Sequence, residues 1–77
     1  MTAVQTLVLE ALEALGGSAY EGEIVDFVAG QLPVLDEETP AVARAVHAAL
    51  AALARDGRVR RKPAALGWLW LAAWQPE

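Results

Sequence analysis

The chain has 77 residues, 56% of them hydrophobic, with no cysteine, one histidine and a formal net charge of -4. That length holds one domain, residues 1 to 77, and a domain this small buries only roughly 60% of its unfolded surface. Without cysteine there is neither a disulfide nor a thiolate metal site, and one histidine cannot assemble a zinc centre. Packing, helped by self-association, must supply the stability, and no cofactor is expected.

Seventeen of the apolar residues are alanine, which brings helices close but hides little surface. The longest apolar stretches are interrupted by Glu10, Glu13, Arg44 and Arg55, so no membrane-crossing segment is expected. The N-terminus lacks a charged region ahead of an apolar run, so cytoplasmic residence is the expectation. One lysine beside five arginines and abundant alanine fits a G+C-rich bacterial genome.

Val4, Leu7, Val8, Leu12 and Leu15 recur at helical spacing, with Gln5, Thr6, Glu10 and Glu13 on the other side, which predicts a first helix. Gly16-Gly17 ends it, because a residue without a side chain can adopt the left-handed C-cap conformation. Residues 18 to 20 read as a short extended link, too brief for a strand without a partner. Residues 21 to 32 predict a second helix with Ile24, Phe27, Val28 and Leu32 inward and Glu21, Glu23 and Asp26 near its positive end.

Pro33 closes that helix, and residues 34 to 38 form a loop whose carboxylates, Asp36, Glu37 and Glu38, lack the spacing of a calcium loop. Thr39-Pro40 then supplies an N-cap and a proline at the first helical position. The third helix should run to about Arg55, burying Val42, Val46, Ala49, Leu50 and Leu53 and turning Arg44, His47, Ala48, Ala51 and Arg55 outward. Asp56-Gly57 is the stop. Residues 58 to 62 and 68 to 73 read as two strands joined by a turn over residues 63 to 67.

Charge along this order is segregated. Residues 1 to 43 carry eight carboxylates and no lysine or arginine, whereas residues 44 to 62 carry all six basic residues and one aspartate. A partner feels that local field more than the net charge. The basic strip runs into Trp68 and Trp70, and cationic beside aromatic side chains suit phosphate backbones and exposed bases.

Leu50-Ala51-Ala52-Leu53-Ala54-Arg55-Asp56-Gly57-Arg58-Val59-Arg60-Arg61, followed by Gly67-Trp68-Leu69-Trp70-Leu71, resembles the end of the third helix and the wing of winged helix-turn-helix domains. The order of elements over roughly residues 3 to 74 is similar to the same family. The resemblance implies a mainly α fold of three helices with a small β-hairpin. It also implies a third helix offered to the DNA major groove and a basic wing along the backbone or minor groove.

On that basis the expected nucleic-acid-binding residues are Arg44, His47, Arg55, Arg58, Arg60, Arg61, Lys62, Trp68 and Trp70, in a small DNA-binding regulator of transcription. If Lys62 pairs with Trp68, then Arg60 faces Trp70, these four share the outer face, and Val59 opposes Leu71 on the inner one. The third helix has few groups able to read bases, since alanine dominates its outward face. An alternative is therefore a winged-helix interaction module without DNA binding, docking a protein through the Trp hairpin or the alanine face.

The apolar content also predicts a homodimer, through the first helix or the Trp74 tail. Catalysis is not expected. Ser18 and His47 are the only candidates for a hydroxyl and imidazole pair, and neither a phosphate-cradling glycine loop nor a His-Glu-x-x-His motif occurs.

Overall fold

A computed structural model describes residues 2–31 and 39–74. Helix α1 spans Ala3–Ala14 and strand β1 Ser18–Tyr20; helices α2 and α3 span Glu21–Gln31 and Thr39–Arg55; strands β2 and β3 span Val59–Ala64 and Gly67–Ala72. Three helices thus pack on a three-stranded antiparallel sheet ordered β1-β3-β2. Leu32, Pro33 and the expected loop over residues 34 to 38 with its carboxylates lie outside the described residues.

Local chemistry sets the ends of the helices. Thr2 and Gln5 form a reciprocal capping box, the Thr2 hydroxyl accepting from the Gln5 N–H at 3.1 Å and the Gln5 side-chain oxygen from the Thr2 N–H at 3.3 Å. At the other end of α1, Gly16 has a φ of +90°, and the N–H groups of Gly16 and Gly17 return to the carbonyls of Glu13 and Leu12. Helix α3 closes in the same way around Gly57, φ +75°, with Gly57 and Arg58 donating to Ala54 and Leu53. Both are Schellman closures, which satisfy carbonyls that a helix end would leave unpaired.

The core is built mainly by Val8, Leu12, Ile24, Val28, Val46, Leu50 and Leu53, all fully buried. Their spacing on each helix is the predicted apolar stripe. Leu15 departs from it and is exposed, because it caps α1 where the chain turns away. The outward face of α3 keeps Arg44, His47, Ala48 and Arg55 exposed, with Ala51 half-buried.

Two expectations about the sheet are corrected. The first concerns residues 18 to 20, which form a strand. They pair with β3 through Ser18↔Leu71, Ala19↔Trp70 and Tyr20↔Leu69, and the Gly17 carbonyl accepts from the Ala72 N–H at 2.9 Å. Three residues suffice because β3, the central strand, supplies the partner that a strand needs. The fold is therefore a mixture of α and β, with a larger sheet than the hairpin alone.

The second correction is the register of the hairpin. Strand β2 pairs with β3 through Val59↔Ala72, Arg60↔Leu71, Arg61↔Trp70, Lys62↔Leu69, Pro63↔Trp68 and Ala64↔Gly67, so only Ala65 and Leu66 form the turn. Pro63 does not break the strand. It sits on an edge strand, where a missing N–H costs no internal ladder bond, and Gly67, at φ +118°, accommodates the tight return.

A one-residue shift sends every side chain of the shifted strand to the opposite face, so β3 turns over while Val59, Arg60, Arg61 and Lys62 keep their expected faces. Val59, Trp70, Ala72 and Ala19 therefore face the helices and belong to the core, whereas Leu71 lies on the other face beside Arg60 and Ser18. Arg60 and Lys62 do not share a face with Trp68 and Trp70; Arg61 does. Trp70 is 5% exposed and Trp68 50%.

The two indoles should differ accordingly. Trp70→Ala empties part of the core and is expected to cost about 3–5 kcal/mol, whereas Trp68→Ala should cost about 1 kcal/mol or less. Urea unfolding followed by circular dichroism measures both, and the reverse order of losses would contradict the register.

Candidate functional site

Where α3 meets the hairpin, the register brings together side chains far apart in sequence. Strand β1 leads without a linker into α2, placing Glu21 at the first helical position. The Tyr20 N–H donates to the Glu23 carboxylate at 2.9 Å, fixing this junction by the returning half of a capping box. Glu21 thereby points between α3 and β3.

Its carboxylate joins three elements. Oε1 accepts from Trp70 Nε1 at 3.3 Å, and Oε2 lies 3.1 Å from His47 Nδ1, whose distance to Oε1 is 3.4 Å. A carboxylate only accepts, so Nδ1 carries the hydrogen in this contact. The indole lies in the core, where its N–H needs a partner, and the imidazole lies near water, with 70% of its side chain exposed against 35% for Glu21.

Arg61 reaches the same place from β2. Its guanidinium lies 4.3 Å from the centroid of the Trp68 ring and 5.9 Å from that of Trp70, within the range of cation–π attraction. Trp68 is thereby covered on one side by a cation and open to water elsewhere. Glu21, His47, Arg61, Trp68 and Trp70 line a groove of about 320 Å³.

A second, wider depression of about 710 Å³ adjoins it, sharing Tyr20, Gly22 and Leu66. The Tyr20 hydroxyl accepts from the Leu66 N–H at 3.3 Å, so the hairpin tip is held against β1. Leu66 itself is 82% exposed. Val25 and Ala43 supply apolar walls, and Glu23 and Asp26 add carboxylates.

The nine expected binding residues are only partly gathered. His47, Arg61, Trp68 and Trp70 share the first groove, with Trp70 contributing its N–H rather than an open ring face. Arg44 and Arg55 are exposed on α3, eleven residues and therefore about 16 Å apart along the helix axis. Arg58 is exposed in the turn after α3, while Arg60 and Lys62 lie on the sheet face away from the groove.

Ser18 sits in β1 opposite Leu71, while the imidazole of His47 is bonded to Glu21. Among the described residues no group of three His, Cys, Asp or Glu side chains is placed to hold a metal ion, and no helix is long and apolar enough to cross a membrane. Glu21 was not among the expected site residues. Its sole sequence signal is its place at the first helical position, directly after a short extended segment.

No family model, curated protein or solved structure gives a significant match to this chain. Function is therefore read from the site alone.

Glu21→Ala removes the acceptor of a part-buried indole N–H and is expected to cost about 1–3 kcal/mol. His47→Ala removes only the exposed end of the same contact, for about 1 kcal/mol or less. Urea midpoints of the two variants check this; equal losses would show that the Trp70 bond contributes nothing.

Proposed function

We propose that this chain is a small winged-helix DNA-binding protein of the transcription-regulator type, gripping duplex DNA between α3 and the β2–β3 wing. The observation that carries the reading is the groove shared by His47 of α3 and by Arg61 and Trp68 of the hairpin. A winged helix needs its third helix and its wing on one continuous surface, and this groove is that continuity. Arg44 and Arg55 extend the cationic surface along α3, and Arg58 continues it beyond the helix end.

Phosphates rather than bases are the main targets. The outward face of α3 offers Arg44, His47 and Arg55 among alanines, too few groups for a detailed code but enough to neutralise backbone charge. Each phosphate contact releases condensed counterions, so affinity should fall steeply with salt.

The register makes the test specific. In fluorescence anisotropy with a labelled duplex, Arg61→Ala should lower the slope of log affinity against log salt by about one. Lys62→Ala, its neighbour on the opposite sheet face, should leave that slope nearly unchanged. A wild-type protein with no salt-dependent affinity for duplex DNA at low ionic strength contradicts the reading.

A second reading, an interaction module without DNA binding, is favoured by the hairpin tip. Leu66 is the most exposed large apolar residue described, and it borders a depression with apolar walls and two carboxylates. A second copy of the chain supplies the complement, because its own wing offers Leu66 together with Arg61 and Lys62. On this reading the homodimer contact lies at the tip rather than at α1 or Trp74. Sedimentation should show a concentration-dependent dimer for the wild type and a monomer for Leu66→Asp; a monomeric wild type at high micromolar concentration contradicts it.

A further inference from the structure

We propose that the groove between α3 and the hairpin is a phosphate-binding site whose present occupant is the chain's own Glu21 carboxylate. The inference rests on the DNA reading and deepens it, by naming the position at which a backbone phosphate enters and the residue that opposes entry.

Two N–H donors from different elements converge on one anion. Trp70 Nε1 lies 3.3 Å from Oε1 and His47 Nδ1 lies 3.1 Å from Oε2. Arg61, held against Trp68 at 4.3 Å, lines the same groove and supplies a positive charge. The indole and imidazole N–H groups bond the carboxylate oxygens, and the guanidinium lines the same groove from its place over the Trp68 ring. A phosphodiester presents the same chemistry, an anion with two unesterified oxygens able to accept from several donors at once.

The occupant is replaceable. Glu21 is the first residue of α2 and its side chain is 35% exposed, so the carboxylate can swing toward water without opening the core. Gly22 follows it, and a Cβ there would meet nothing within 4 Å, so that side of the groove is open.

Displacement has a cost, since an entering phosphate meets a like charge until Glu21 has moved. The carboxylate therefore holds wild-type affinity down and ties it to the state of one side chain. Removing one like charge at about 4 Å in water changes affinity on the order of five-fold.

Glu21→Gln tests this while keeping an oxygen for the indole N–H, and Asp26→Asn is the control, removing the same charge from an exposed position on α2 outside this groove. Affinities for a 20-base-pair duplex are compared at low salt, with folding checked by circular dichroism. Glu21→Gln should bind at least about five-fold tighter than wild type and Asp26→Asn less than about two-fold tighter. Adding His47→Ala to Glu21→Gln should abolish the gain.

Equal gains for the two neutralising variants mean a general charge effect, which overturns the inference and leaves the DNA reading standing. If neither wild type nor Glu21→Gln binds duplex, the DNA reading falls, and inorganic phosphate at matched ionic strength decides the remainder. Quenching of tryptophan fluorescence in Glu21→Gln but not in Asp26→Asn would retain an anion site for free phosphate, and no quenching would remove the site altogether.

Discussion

The burial of Trp70 in the central strand is the constraint from which the rest of this structure follows. Its ring belongs to the core, yet its N–H cannot be left without an acceptor there, and Glu21 supplies one from the first residue of α2. Satisfying that donor fixes the junction of β1 and α2 against β3. The second oxygen of the same carboxylate faces His47 and so ties α3 to the junction. One side chain thus sets three elements around the groove and lends the groove a negative charge. On the proposed phosphate site, the demand of folding and the demand of anion binding meet at Glu21 with opposite signs.

Economy explains why such a joint matters in a chain of this size. A small core of aliphatic side chains on three helices leaves little reserve against the entropy of ordering the chain. The Thr2–Gln5 capping box and the two glycine closures satisfy helix ends without spending residues on long loops. β1 contributes only three residues to the sheet, and the carbonyl of Gly17 extends its ladder by one bond. Buried Ala49 lets α3 pack closely, while the exposed alanines Ala41, Ala45, Ala48 and Ala54 leave few groups that could read a base.

Much of the helical part was legible in the sequence because the 3.6-residue period is repeated several times in each helix. Val8 and Leu12, Ile24 and Val28, and Val46, Leu50 and Leu53 all fall inside as that period requires. The stops at Gly16-Gly17 and Asp56-Gly57 were legible for an equally local reason, the conformation that glycine permits. What was not legible depended on pairing across the chain. Pro63 suggested a break because its edge position could not be known, and the resulting one-residue shift exchanged Arg61 for Arg60 and Lys62 beside the tryptophans. Residues 18 to 20 looked too short for a strand until β3 was available as a neighbour. Glu21 carried no motif, since a single glutamate acquires its role only from what Trp70 and His47 bring to it.

The arrangement divides the basic strip between two sheet faces, so the contiguous run of positive charge in sequence is not a contiguous patch in space. Function on the DNA reading therefore depends on α3 and Arg61 together, with Trp70 as the hinge between core and groove. The most direct measurement of that central claim is solvent exchange of the three indole N–H groups, resolved as separate nuclear magnetic resonance signals. The Trp70 indole should exchange far more slowly than those of Trp68 and Trp74, both of which are exposed, and should lose its protection in Glu21→Ala. Equal rates for all three in the folded wild type would contradict the bond to Glu21 and, with it, the geometry of the groove.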